Sequence, residues 1–70
     1  MKLYPFKVPV EKLAEAFGLI CRDNPQAEYY FKDCLIRSIH FSEMRGRHRV
    51  TIRGRCINST ETRCMKITEG

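Results

Sequence analysis

The chain has no tryptophan, and three tyrosines and four phenylalanines must serve 70 residues, so aliphatic side chains have to supply most of any core. No apolar run approaches the roughly 20 residues that a membrane-spanning helix requires, which excludes a helical membrane protein. The opening Met1-Lys2-Leu3-Tyr4-Pro5-Phe6-Lys7 lacks the apolar stretch and small-residue cleavage site of a signal peptide, so the expected location is cytoplasmic. There is no internal repeat and no low-complexity tract, which excludes fibrous architectures. No Ser/His/Asp set, no paired carboxylates and no glycine-rich phosphate loop are present, and the chain is not expected to be an enzyme. The four cysteines, Cys21, Cys34, Cys56 and Cys64, include no Cys-x-x-Cys pair, so neither a structural zinc site nor any cofactor is expected. Cys34 and Cys56 instead fit apolar faces, where a free thiol packs as a small hydrophobe. Asn58-Ser59-Thr60 matches a glycosylation pattern but reads most simply as a turn.

One absence is local. Between positions 45 and 55 there are five arginines and no acid. Residues 1–44 carry six basic and six acidic groups, whereas residues 45–70 carry seven basic groups against Glu61 and Glu69. The whole net charge of +5 therefore lies in the last third of the chain. Asymmetry of this kind points to an acidic partner, most often nucleic acid.

With 43% hydrophobic and 30% charged residues, the composition is that of a folded globular chain, and its length allows one domain, residues 1–70. Tyr4, Phe6 and Val8 alternate with Pro5, Lys7 and Pro9, a pattern that fits an edge strand because proline cannot donate to a sheet ladder. Leu13, Phe17 and Ile20 then share a helical face after Pro9. Gly18 either caps that helix or lets it run to about Arg22. Asp23-Asn24-Pro25-Gln26 is a second helix start, with Ala27, Tyr30, Phe31, Cys34 and Leu35 following as a helical stripe. Leu13-Ala14-Glu15-Ala16-Phe17-Gly18-Leu19 resembles the start of a helix-turn-helix DNA reader. Asn24 and Pro25, however, occupy the middle of the segment where a recognition helix would run, and no family follows from it.

The remainder predicts a strand meander. If Arg45-Gly46 are the two turn residues of a hairpin, Met44 faces Arg47, Phe41 faces Val50 and Ile39 faces Ile52. One face then collects Ile39, Phe41, Val50, Ile52, Gly54 and Cys56. The other collects Ser38, His40, Ser42, Arg47, Arg49, Thr51, Arg53 and Arg55, and a one-residue slip would mix the two sets. A last strand near Arg63–Thr68 adds Met65 and Ile67 to the apolar face. The expected fold is α+β in β-α-α-β-β-β order, an antiparallel sheet with two helices packed on one face. A core this small nets about 3–5 kcal/mol, so a homodimer or a bound partner would add useful stability.

On a strand, residues two apart project from one face about 6.6–6.8 Å from each other. Arg47, Arg49, Arg53 and Arg55 would thus form a guanidinium row suited to phosphate oxygens, with Arg45 at the turn and His40 as accessories. The leading expectation is a small basic nucleic-acid-binding protein, for DNA or RNA, held mainly by phosphate contacts and acting as an accessory regulator. An alternative is a protein-interaction module or inhibitor that docks the same arginines on an acidic protein surface. A second alternative is a small ribonuclease with His40 as general base and arginines stabilising the developing charge. A charged sheet face also serves solubility, although five arginines without one acid exceed that need.

Overall fold

The computed structural model describes residues 6–69, so Tyr4 and Pro5 of the expected edge strand lie outside it. Pro9 leads into a single 3-10 turn, Val10–Lys12, that continues directly into helix α1, Leu13–Asp23. Gly18 does not cap this helix, and the chain passes through it without the bend a helix-turn-helix needs. A mid-helix glycine costs about 1 kcal/mol relative to alanine. That cost is offset by packing Leu13, Phe17 and Ile20 against the sheet.

Asn24 separates α1 from helix α2, Pro25–Tyr30. Its side-chain amide and its backbone N–H both donate to the Ile20 carbonyl, at 3.1 and 2.9 Å. The side chain therefore satisfies the end of α1 rather than capping α2, as the sequence suggests, and Pro25 takes the first helical position. Helix α2 also stops sooner than the apolar stripe predicts. Phe31–Asp33 form a turn, Asp33 adopts a left-handed φ of 63°, and Cys34 and Leu35 belong to a strand. Ala27 and Phe31 are buried from the helical side, while Cys34 meets the same core from the sheet. Two elements converging on one core produce a spacing that mimics a single helix.

The sheet is antiparallel, in the order β1 (Phe6–Lys7), β2 (Cys34–Met44), β3 (Arg47–Cys56), β4 (Thr62–Glu69). The expected register holds: Met44 faces Arg47, Phe41 faces Val50 and Ile39 faces Ile52 across a two-residue turn. Both turn residues have positive φ, 54° for Arg45 and 79° for Gly46, the backbone that matches the twist of the flanking strands. The pairing shifts between Ile36 and Ser38, leaving Arg37 as an extra residue. This bulge changes the side-chain phase. As a result Cys34 and Ile36 share the core face with Ile39 and Phe41, despite differing from them in parity.

Both helices lie on that face. Ile39 and Ile52, directly opposed on β2 and β3, are fully buried, and Val8, Leu13 and Phe31 complete the buried cluster. Phe31 meets Phe17 and Tyr30 edge-on, with ring centroids 5.7 and 5.0 Å away. It also lies against Gly54, where an added Cβ would come within 2.9 Å of the Phe31 ring and 3.3 Å of the Leu35 carbonyl oxygen.

Two substitutions test this packing in urea denaturation. Ile52→Ala should cost about 2–5 kcal/mol, a large part or all of a net stability of about 3–5 kcal/mol. Gly54→Ala should cost about 1–3 kcal/mol through overpacking against a ring held on both sides. An unchanged midpoint for Gly54→Ala would mean that β3 does not approach Phe31 this closely.

Candidate nucleic-acid interface

Strand alternation decides what the helix-free face of the sheet displays. On β3 it presents Arg47, Arg49, Thr51, Arg53 and Arg55, since Val50, Ile52 and Gly54 turn to the core. The register then sets their neighbours. On β2, Met44, Ser42, His40, Ser38 and Leu35 stand opposite these five in turn. On β4, Thr68, Lys66, Cys64 and Thr62 stand opposite Arg49, Thr51, Arg53 and Arg55. Lys7 of β1 pairs with His40 and joins the same face.

The four arginines of β3 therefore form a ridge about 27 Å long at the usual strand rise. Most positions flanking it carry short hydroxyl or thiol side chains, which leave the guanidinium groups room to stand clear. Arg47, Arg53 and Arg55 are exposed and Arg49 is half-buried. Lys7 and Lys66 bring the count on this face to six cations, and among the described residues none is within ion-pair reach of a carboxylate. Neighbouring charges 7 Å apart repel by about 0.6 kcal/mol in water, and salt reduces this further. The fold can tolerate so small a cost, and a polyanion would reverse its sign at every position.

Arg45 extends the ridge at the hairpin tip. Together with Arg47, Arg49 and Thr68 it lines a depression of about 500 Å³. Its left-handed φ is one that asparagine or glycine adopts more readily, so a charged residue there works against the backbone preference. His40 is half-buried on the ridge face, opposite Thr51 and Lys7. His48 falls on the other face, opposite Glu43, in a groove with Val50 and Ile67. The two histidines are thus kept apart by the sheet.

Not every cation of the C-terminal third contributes. Arg63 lies on the helix side, where its Nη1 donates to the Tyr30 carbonyl at 2.9 Å and its guanidinium sits 5.9 Å from the Tyr30 ring. It serves the C-terminal end of α2. Conversely, Lys66 and Lys7 belong to the face although they lie outside the arginine run. Their signal was present: Met65 and Ile67 point inward, as does Val8, so the residues between or beside them point out.

Replacing Arg45 by Asn should stabilise the chain by about 1 kcal/mol, because the turn backbone suits Asn-Gly better. A thermal or urea melt checks this, and a loss of stability would show that the Arg45 side chain makes compensating contacts. Comparison with protein-family models, curated proteins and solved structures finds no match, so the meaning of this surface rests on its own residues.

Proposed function

We propose that this protein binds nucleic acid through phosphate contacts from Arg47, Arg49, Arg53 and Arg55, with Arg45 and His40 as accessory contacts. The observation that carries the proposal is the cation count of the helix-free face, six positive side chains and no carboxylate among the described residues. Arginine grips phosphate oxygens through two parallel hydrogen bonds, and hydroxyls such as those of Ser38, Ser42 and Thr51 are common partners in phosphate contacts. The described residues of this face include no phenylalanine, tyrosine or tryptophan, and its one ring, His40, is half-buried. Stacking of unpaired bases, the usual device of single-strand binders, therefore has no platform here, and the backbone of a duplex is the better match. The missing aromatics also weigh against a protein-docking patch, whose energetic centres are typically Trp, Tyr and Arg together.

No helix among the described residues is long and apolar enough to cross a membrane. With this reading we propose a cytoplasmic location and an accessory regulatory role.

Fluorescence anisotropy against duplex DNA, single-stranded DNA and RNA at several salt concentrations tests the reading. For about four neutralised phosphates, log K should fall with log salt at a slope near −3.6 on duplex DNA or −2.8 on a single strand. Removing two contacts with Arg49→Ala and Arg53→Ala should flatten the duplex slope by about 1.8 and weaken all sequences alike. Absence of binding at low salt would overturn the proposal and leave an acidic protein surface as the partner to pursue.

A further inference from the structure

Where β2 begins and β3 ends, two thiols face each other. Cys34 and Cys56 are register partners, and their Sγ atoms lie 3.5 Å apart. Neither backbone N–H is used between them: Cys34 donates to the Phe31 carbonyl and Cys56 to the Glu61 carbonyl, both at 3.0 Å. The flanking bond runs from the Ile57 N–H to the Asp33 carbonyl, also at 3.0 Å. This is a non-hydrogen-bonded antiparallel pair, the closer of the two pair types, with Cα atoms about 4.5 Å apart. That separation lies within the range that a disulfide spans without backbone movement.

We propose that Cys34 and Cys56 are a redox-active pair that closes to an intramolecular disulfide by exchange with a low-molecular-weight disulfide of the glutathione type. Both thiols are half-buried, but they differ in what they line. Cys56 lines a depression of about 480 Å³, together with Lys32, Asp33, Glu61 and Arg63, and Cys34 does not. Charge on that wall is balanced, Lys32 and Arg63 against Asp33 and Glu61, and the depression gives a small disulfide room to reach Cys56. Cys56 is therefore the entry thiol. Its thiolate attacks one sulfur of the small disulfide, forming a mixed disulfide and releasing one small thiolate. The Cys34 thiolate, already in contact distance, then attacks the Cys56 sulfur and expels the second small thiolate. The balance is two protein thiols oxidised, one small disulfide reduced to two thiols, and both protons passed through solvent to the products.

Burial and the hydrogen bond with Cys56 hold the Cys34 thiol above its ordinary range, so its attacking form is scarce at neutral pH. Ring closure should accordingly accelerate as the solution is made alkaline. The product ties the open end of the β2–β3 hairpin, the end opposite the Arg45-Gly46 turn, across a sequence separation of 22. Both ends of the strand pair that carries the arginine ridge are then fixed. The proposal stands apart from what that ridge binds.

Tryptic digestion separates all four cysteines, because Cys34 lies between Lys32 and Arg37 and Cys56 between Arg55 and Arg63. The reduced full-length chain is treated with oxidised glutathione, free thiols are alkylated, and the digest is read by mass spectrometry. The expected product is one cross-linked species joining Asp33–Arg37 to Cys56–Arg63, with Cys21 and Cys64 alkylated. A Cys21→Ser, Cys64→Ser chain should form the same link. Cys34→Ser should instead accumulate a stable glutathione adduct on Cys56, which the unaltered chain shows only in passing. A link through Cys21 or Cys64, a disulfide between two chains, or alkylation of both Cys34 and Cys56 would overturn the proposal.

Discussion

The two-residue turn at Arg45-Gly46 governs the rest of the molecule. Because both residues adopt positive φ, β2 and β3 are joined with the twist a sheet prefers, and their register is fixed from the tip. That register places Ile39 on Ile52 and Phe41 on Val50 in the core. The same choice sends Arg47, Arg49, Arg53 and Arg55 to the opposite surface. A slip by one residue would bury guanidinium groups and expose isoleucines, at a cost of several kcal/mol per group. Core and ridge are thus one decision, made by alternation along a single hairpin.

The bulge at Arg37 extends that decision to the start of β2. Below it, Cys34 and Ile36 have the opposite parity to Ile39 and Phe41, and the extra residue restores them to the helix-covered side. It also sets Cys34 against Cys56, and it leaves Leu35, 60% exposed, beside Arg55 on the ridge face. The helices contribute little beyond covering the core. Among the described residues only Ala27, Ile39 and Ile52 are fully buried, so the pair Ile39–Ile52 and the ring of Phe31 carry a large share of a small net stability.

Much of this was legible in the sequence. Alternation in Ile39–Phe41 and Val50–Ile52, with a glycine-containing turn between them, gave both the register and the composition of the ridge. The inward Met65 and Ile67 located β4, which starts one residue earlier and ends one later than expected. The end of α2 was not legible, because Cys34 and Leu35 continue a helical spacing by coincidence and the break depends on the left-handed Asp33. The bulge left a trace in the parity change between Ile36 and Ile39, which an unbroken strand cannot bury on one face. The role of Arg63 was hidden, since nothing local indicates that it reaches back to the end of α2.

The proposed binding depends on four guanidinium groups that project together from the helix-free face of the sheet. Nitrogen-15 NMR of the arginine Nε–Hε groups during titration with a short DNA duplex tests it most directly. The resonances of Arg47, Arg49, Arg53 and Arg55 should move together, while those of Arg22 on α1 and Arg63 beside Tyr30 stay in place. Equal movement of Arg22 and Arg63, or no movement of the β3 arginines while binding is observed, would contradict it.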